Sequence, residues 1–156
     1  MKKWIELIKE YEGFYSKPYL CPAGVPTIGY GTIVYPNGKK VTLKDPPCTV
    51  EQASEWFMYE AVDKLETVKK LIEKIGLQLT EEQLGSITSL CYNVGIGCLD
   101  SNKAFGIALR SKSITKIADA FLIYNKARVG FFRRLKVLKG LVRRRESERN
   151  LFLSGE

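Results

Sequence analysis

Leu79-Thr80-Glu81-Glu82-Gln83-Leu84, running on to Tyr92-Asn93-Val94-Gly95-Ile96-Gly97, spells out a helix with both of its ends. Thr80 and Gln83 have the spacing of a capping box, in which each side chain accepts a bond from the other residue's backbone N–H. Leu84, Ile87, Cys91 and Val94 recur at three- and four-residue steps and mark one apolar face. Gly95-Ile96-Gly97 then breaks the helix. Working outward, Thr49 and Gln52 form a second capping pair. Beyond them Trp56, Leu65, Val68, Leu71 and Ile72 support a long helix over about 50–74, which Gly76 ends. Shorter helices are expected near 101–110, 114–125 and 141–153, with Gly130 and Gly140 between the last two. Toward the N-terminus, Trp4, Leu7, Ile8 and Tyr11 give a half-buried helix stopped by Gly13.

Between these helices the character changes. Residues 14–48 are rich in Gly, Pro, Thr, Tyr and Val, and Pro36-Asn37-Gly38 separates Thr32-Ile33-Val34-Tyr35 from Lys39-Lys40-Val41-Thr42. A turn tripeptide between β-prone residues predicts a hairpin. The expected fold is therefore α+β, mainly helical, with a small N-terminal antiparallel sheet lobe joined by a long helix to a helical C-terminal lobe. One domain over 1–156 is expected, with lobes at about 12–60 and 75–156 and the N-terminal helix 1–11 packing on the C-terminal lobe. Two lobes joined this way leave a cleft suited to an extended polymer.

The composition narrows the chemistry. A chain of 156 residues suits one compact domain. No run of about 18 apolar residues predicts a membrane span, and the first ten residues carry Glu6 and Glu10 where a signal peptide needs an unbroken apolar stretch. Accumulation in a cytoplasm is expected. The formal charge of +8 favours polyanionic partners without choosing among them, and Arg143-Arg144-Arg145, followed by Glu146 and Glu148, reads as a solvated helix face. Cys21, Cys48, Cys91 and Cys98 fit no paired metal-ligand spacing and are expected as free thiols, Cys91 in the core. The chain has no histidine, so neither a His-ligated zinc amidase nor a Cys–His peptidase can be built in its usual form. Carboxylate chemistry remains.

Glu12 stands out within that chemistry. It sits at the expected C-terminal end of the first helix, where the last carbonyls disfavour an ionised carboxylate. Tyr11, Phe14 and Tyr15 add apolar surface on either side. A carboxylic acid that keeps its proton is what a glycosidase needs to protonate a departing sugar oxygen. Cys21 follows after eight residues, and Thr27 lies within Gly24-Val25-Pro26-Thr27-Ile28-Gly29-Tyr30-Gly31.

This series resembles the catalytic signature of the phage-type, T-even-like lysozymes and endolysins of glycoside hydrolase family 24: a Glu, then Asp or sometimes Cys, then Thr in a G-x-x-T-x-G-x-G strand. The segment Leu79–Gly97 is similar to that family's central helix. Gly140-Leu141-Val142-Arg143-Arg144-Arg145-Glu146-Ser147-Glu148-Arg149 is similar to its C-terminal helix. The resemblance implies hydrolysis of the β-1,4 bond between N-acetylmuramic acid and N-acetylglucosamine in peptidoglycan, with Glu12 as general acid and Cys21 and Thr27 completing the catalytic set. It implies sugar-binding roles for Tyr92, Asn93 and Ile33, and a supporting role for Arg144 beside the catalytic glutamate. It implies no metal or other cofactor.

Cys21 departs from the usual aspartate. An ordinary thiol is only roughly 3% thiolate at pH 7. Two active roles stay open, positioning a water for inversion or attacking as a nucleophile with retention, beside a regulatory one, closing the site as a disulfide with Cys48 or another cysteine, and that of a small buried residue with no catalytic part. The alternative from another class is a catalytically weak peptidoglycan-binding protein of the same fold. A nucleic-acid binder has only the net charge in its favour and no recognition motif. The further expectations are a monomer without stable membrane insertion and storage in the host bacterial cytoplasm. Release would depend on a holin, with action in the periplasm and cell wall after the membrane is permeabilised.

Overall fold

The computed structural model describes residues 2–130 and 133–155; Met1, where the first helix was expected to begin, lies outside the described residues. In chain order the elements are α1 (Lys3–Glu12), β1 (Tyr15–Leu20), β2 (Pro26–Gly29), α2 (Val50–Lys74) and α3 (Glu81–Val94). A 3-10 turn (Ile96–Leu99) leads to α4 (Ala104–Arg110), α5 (Ile114–Phe121), β3 (Lys126–Val129), β4 (Arg134–Val137) and α6 (Lys139–Leu153). The class is α+β and mainly helical. Among the described residues, no helix is long and apolar enough to cross a membrane.

Two compact units emerge: Ile8–Asp63, and Met1–Leu7 with Lys64–Glu156. The first gathers Ile28, Val41, Cys48 and Ala53 into a core flanked by Tyr30, Tyr35 and Trp56. Its sheet pairs β1 with β2 in antiparallel register, Tyr19 opposite Thr27 and Tyr15 opposite Gly29, with an irregularity between. The expected turn at Pro36-Asn37-Gly38 forms, with Gly38 N–H donating to the Tyr35 carbonyl at 2.9 Å and Tyr35 N–H to that of Lys39 at 2.9 Å. The hairpin expected around it is short: Val34 bridges Lys40 and the Val41 N–H donates to the Ile33 carbonyl at 3.0 Å, while the Thr32 backbone pairs with Ile28 in both directions, at 2.9 and 3.0 Å. The α2 cap forms as read, with Thr49 N–H on Gln52 Oε1 at 3.0 Å and Gln52 N–H on Thr49 Oγ1 at 3.2 Å.

The second unit is built around α3. Its Thr80–Gln83 capping box is complete, and the Gly95 N–H closes the other end on the Cys91 carbonyl. The single apolar face read from the sequence understates its burial: Gln83 and every residue from Gly85 to Cys91 are buried. Small residues allow this. A side chain at Gly85 would run into the Trp4 ring. The Ser86 and Thr88 hydroxyls spend their hydrogen bonds on carbonyls one turn back, at 2.7 and 2.8 Å. Val94, placed on that face, is instead 39% exposed at the helix end.

Two further expectations are corrected in this unit. The lobe is not wholly helical: α5 stops at Phe121, and β3 pairs antiparallel with β4. The reason is local, since Lys126-Ala127-Arg128-Val129 and Arg134-Leu135-Lys136-Val137 alternate polar and apolar residues at the period of a strand. Nor do all three arginines lie on a solvated face; only Arg143 is exposed. Arg144 and Arg145 are 3% and 0% exposed, drawn inward by the fully buried Glu148, whose oxygens lie 3.1 Å from Arg144 Nε and 2.8 Å from Arg145 Nε. The Ser89 hydroxyl donates to the same carboxylate at 2.7 Å.

Candidate active site

Glu12 is the last residue of α1. Gly13 follows at φ +68° and turns the chain into β1, which leaves the Glu12 side chain half-buried. The glycine pattern after Thr27 acquires a physical meaning here. A Cβ at Gly31, whose φ is +87°, would stand 3.0 Å from Glu12 Oε2, so the backbone passes against the carboxylate where only hydrogen fits. At Gly29, φ +66°, a Cβ would stand 2.9 Å from that of Ala53, the close approach of β2 to α2. One glycine seats the strand on its helix; the other makes room for the acid.

Cys21 follows directly after β1 in a tight loop, its N–H on the Val25 carbonyl at 3.0 Å and its own carbonyl accepting from Gly24 at 2.7 Å. Burial disfavours the thiolate, but hydrogen bonds from the backbone of Val25, Ala23 and Gly24 and from the Thr27 side chain outweigh it. The thiol is left below its ordinary pKa. Backbone amides do this, rather than a neighbouring cation. Thr27, 3% exposed on β2, donates to the Val25 carbonyl at 2.9 Å. Its hydroxyl thus has one proton for two acceptors, that carbonyl and the Cys21 sulfur.

Tyr19 was not anticipated. Opposite Thr27 in the sheet, it stacks on Tyr15 with ring centroids 4.3 Å apart. Its phenol is pushed up by burial, then by the nearby Tyr15, Glu12 and Cys21. The register sets Glu12 before the Tyr15–Gly29 end of the sheet and Cys21 beyond its Leu20–Pro26 end, with Tyr19 within electrostatic reach of both. The alternation of Tyr15, Lys17 and Tyr19 along a strand was the available signal.

The remaining expected residues are distributed as follows. Ile33, 43% exposed, helps line a pocket of about 260 Å³ with Val34, Tyr35, Tyr59, Glu60 and Asp63. Tyr92 is half-buried, with Lys64 Nζ 5.7 Å from its ring centre, and Asn93 is exposed at the end of α3. Arg144 lies in the Glu148 cluster and also reaches the Ser89 carbonyl at 3.5 Å. Glu12, Cys21, Thr27 and Ile33 belong to one unit; Tyr92, Asn93 and Arg144 belong to the other. All four cysteines are free thiols, and Cys91 is core. Cys91 and Cys98 hydrogen-bond through sulfurs 3.8 Å apart. Among the described residues, no group of three His, Cys, Asp or Glu side chains could hold a metal ion.

An acid at the end of the first helix, set against the glycine turn that follows β2 in a small α+β fold, defines the lysozyme class. The chain is 36% identical to the endolysin of Bacillus phage B103 over 97% of its own length and 53% of that protein's. It is 33% identical to the endolysin of Acyrthosiphon pisum secondary endosymbiont phage 1, over 98% of its own length and 97% of that protein's. Its structure is similar to an endolysin from Escherichia coli O157:H7 phage FAHEc1, at a TM-score of 0.84 and 28% identity, covering 100% of this chain and 94% of the other. The chain thus spans about half the length of the first relative and nearly all of the second. It belongs to the phage lysozyme family, whose model matches residues 9–148.

Proposed function

We propose that this chain is the catalytic domain, over 1–156, of an endolysin that hydrolyses the β-1,4 bond between N-acetylmuramic acid and N-acetylglucosamine in peptidoglycan. The observation that carries the proposal is the Glu12 carboxylate at the end of α1, held where a Cβ at Gly31 would stand 3.0 Å from Oε2, in the same compact unit as Cys21 and Thr27, which are in hydrogen-bond contact with each other. Glu12 protonates the glycosidic oxygen as the bond to the anomeric carbon breaks. Cys21 and Thr27 hold a water on the opposite sugar face, and its attack inverts the configuration. The amide-lined Cys21 loop suits this role, since it favours the thiolate that accepts a proton from that water. Tyr92, Asn93 and Ile33 contact sugar rings, and Arg144 supports the acid. The protein acts as a monomer, accumulates in the host cytoplasm, and reaches the wall once a holin has permeabilised the membrane.

Digestion of purified peptidoglycan tests this reading. New reducing-end N-acetylmuramic acid, released first as the α-anomer, is expected for wild type and for Cys21→Asp, with less from Cys21→Ser. Release of the β-anomer would replace water positioning with nucleophilic attack by Cys21. New amino groups without reducing ends would overturn the glycosidase reading. Wall binding without any soluble product would favour the weakly catalytic alternative.

A further inference from the structure

The β3–β4 hairpin plays no part in the chemistry above. Its strands pair Lys126 with Val137, Ala127 with Lys136, Arg128 with Leu135 and Val129 with Arg134. Directly paired residues share a face of an antiparallel sheet. One face therefore presents Lys126, Arg128, Leu135 and Val137, all four exposed. Leu135 and Val137 keep 59% and 55% of their surface in water. Lys136 and Arg134 stand exposed on the other face, and Arg133 in the turn. The sequence contains no acidic residue between Asp119 and Glu146 to offset these cations.

We propose that this hairpin docks the protein on an anionic phospholipid surface, lying on the bilayer rather than crossing it. The mixture on one face carries the argument. A soluble polyanion attracts the cations but gains nothing from two uncovered branched aliphatics beside them. A bilayer interface uses both: Lys126 and Arg128 extend apolar stems and place their charges among phosphates, while Leu135 and Val137 enter the headgroup–acyl boundary. The attraction acts within a Debye length and weakens with salt. The inference is independent of whether the chain cleaves peptidoglycan.

Co-sedimentation of the full chain with vesicles tests it, using phosphatidylcholine alone or mixed with phosphatidylglycerol. The chain is expected to pellet with the anionic vesicles and to stay in solution with the neutral ones. Leu135→Ser with Val137→Ser should lower the anionic-vesicle affinity about tenfold while leaving retention on soluble polyphosphate unchanged. Arg128→Gln with Lys126→Gln should lower both. Thermal unfolding confirms that each variant is folded, and either pair alone suffices if the other fails to fold. Absence of binding to anionic vesicles overturns the proposal. So does a serine pair that keeps full vesicle affinity, or a glutamine pair that does, since either leaves the bilayer indifferent to the groups invoked.

Discussion

Gly31 and Cys21 show how backbone conformation prepares the reacting groups. Gly31 combines a left-handed φ of +87° with a 3.0 Å approach to Glu12 Oε2 from where its Cβ would be, so Gly31→Ala meets two penalties. The conformation alone costs about 1–2 kcal/mol, and the new methyl displaces the carboxylate. Lysis by the folded variant is expected to fall about tenfold or more, since small misplacements of catalytic groups are costly; a wild-type rate would detach Glu12 from this turn. Cys21 is part-exposed whereas Cys48, Cys91 and Cys98 are buried, and the Cys21 thiol is lowered while burial pushes that of Cys48 up. Iodoacetamide should accordingly modify Cys21 first in the native protein, and activity should fall in step. Mass mapping of the alkylated peptides checks this, and first labelling at Cys48 would contradict it. The Glu12, Cys21 and Thr27 spacing was legible in the sequence. The amide cradle around Cys21 was not, because it depends on how Pro22–Val25 turn, and that has no side-chain signature.

At the scale of elements, two polar contacts hold segments that apolar packing alone leaves open. Tyr35 Oη donates to Asp45 Oδ2 at 2.8 Å, and Thr42 donates from both its backbone N–H and its hydroxyl to the same carboxylate. Burial, then the bond and charge of Asp45, push the Tyr35 phenol up to about 12. Because the folded value exceeds the unfolded one, this contribution is intact below about pH 10 and is lost as pH rises toward 12. Tyr35→Phe should therefore flatten that alkaline loss and cost about 1 kcal/mol near neutrality; urea melts across the alkaline range measure both. In the other unit, Glu148 is enclosed by Arg144, Arg145 and Ser89. Glu148→Ala removes the buried carboxylate that Arg144 and Arg145 share and should cost about 3–5 kcal/mol, read from denaturant midpoints. A loss below 1 kcal/mol would mean that those arginines reach water.

The same elements show what pattern reading recovers. The α2 and α3 boundaries were legible because both caps are written as Thr-x-x-Gln, and local hydrogen bonds decide helix starts. The burial of Arg144 and Arg145 was not, because it depends on Ser89 and Glu148 meeting across 59 residues. The β3–β4 hairpin was missed although its alternation was present, since four-residue strands sit at the shortest length at which period argues for a strand.

For the molecule as a whole, 25 basic residues against 17 acidic ones set its long-range behaviour. Purified walls bear carboxylates and phosphates, so pelleting of the protein with them should weaken steadily as ionic strength rises. Affinity that is indifferent to salt would move the attraction from charge to specific sugar contacts. The division into the units Ile8–Asp63 and Met1–Leu7 with Lys64–Glu156 cuts within α1 and α2, so no polar linker marks it in the sequence.

The central claim is that the Glu12 carboxyl delivers the proton that releases the sugar, and Glu12→Gln tests it most directly. The amide matches the carboxyl in shape but has no acidic proton to give. Turbidity of permeabilised cells should show lysis reduced by about 10²–10⁴-fold, with wall binding and thermal midpoint retained. Lysis by the amide variant at close to the wild-type rate would contradict the account.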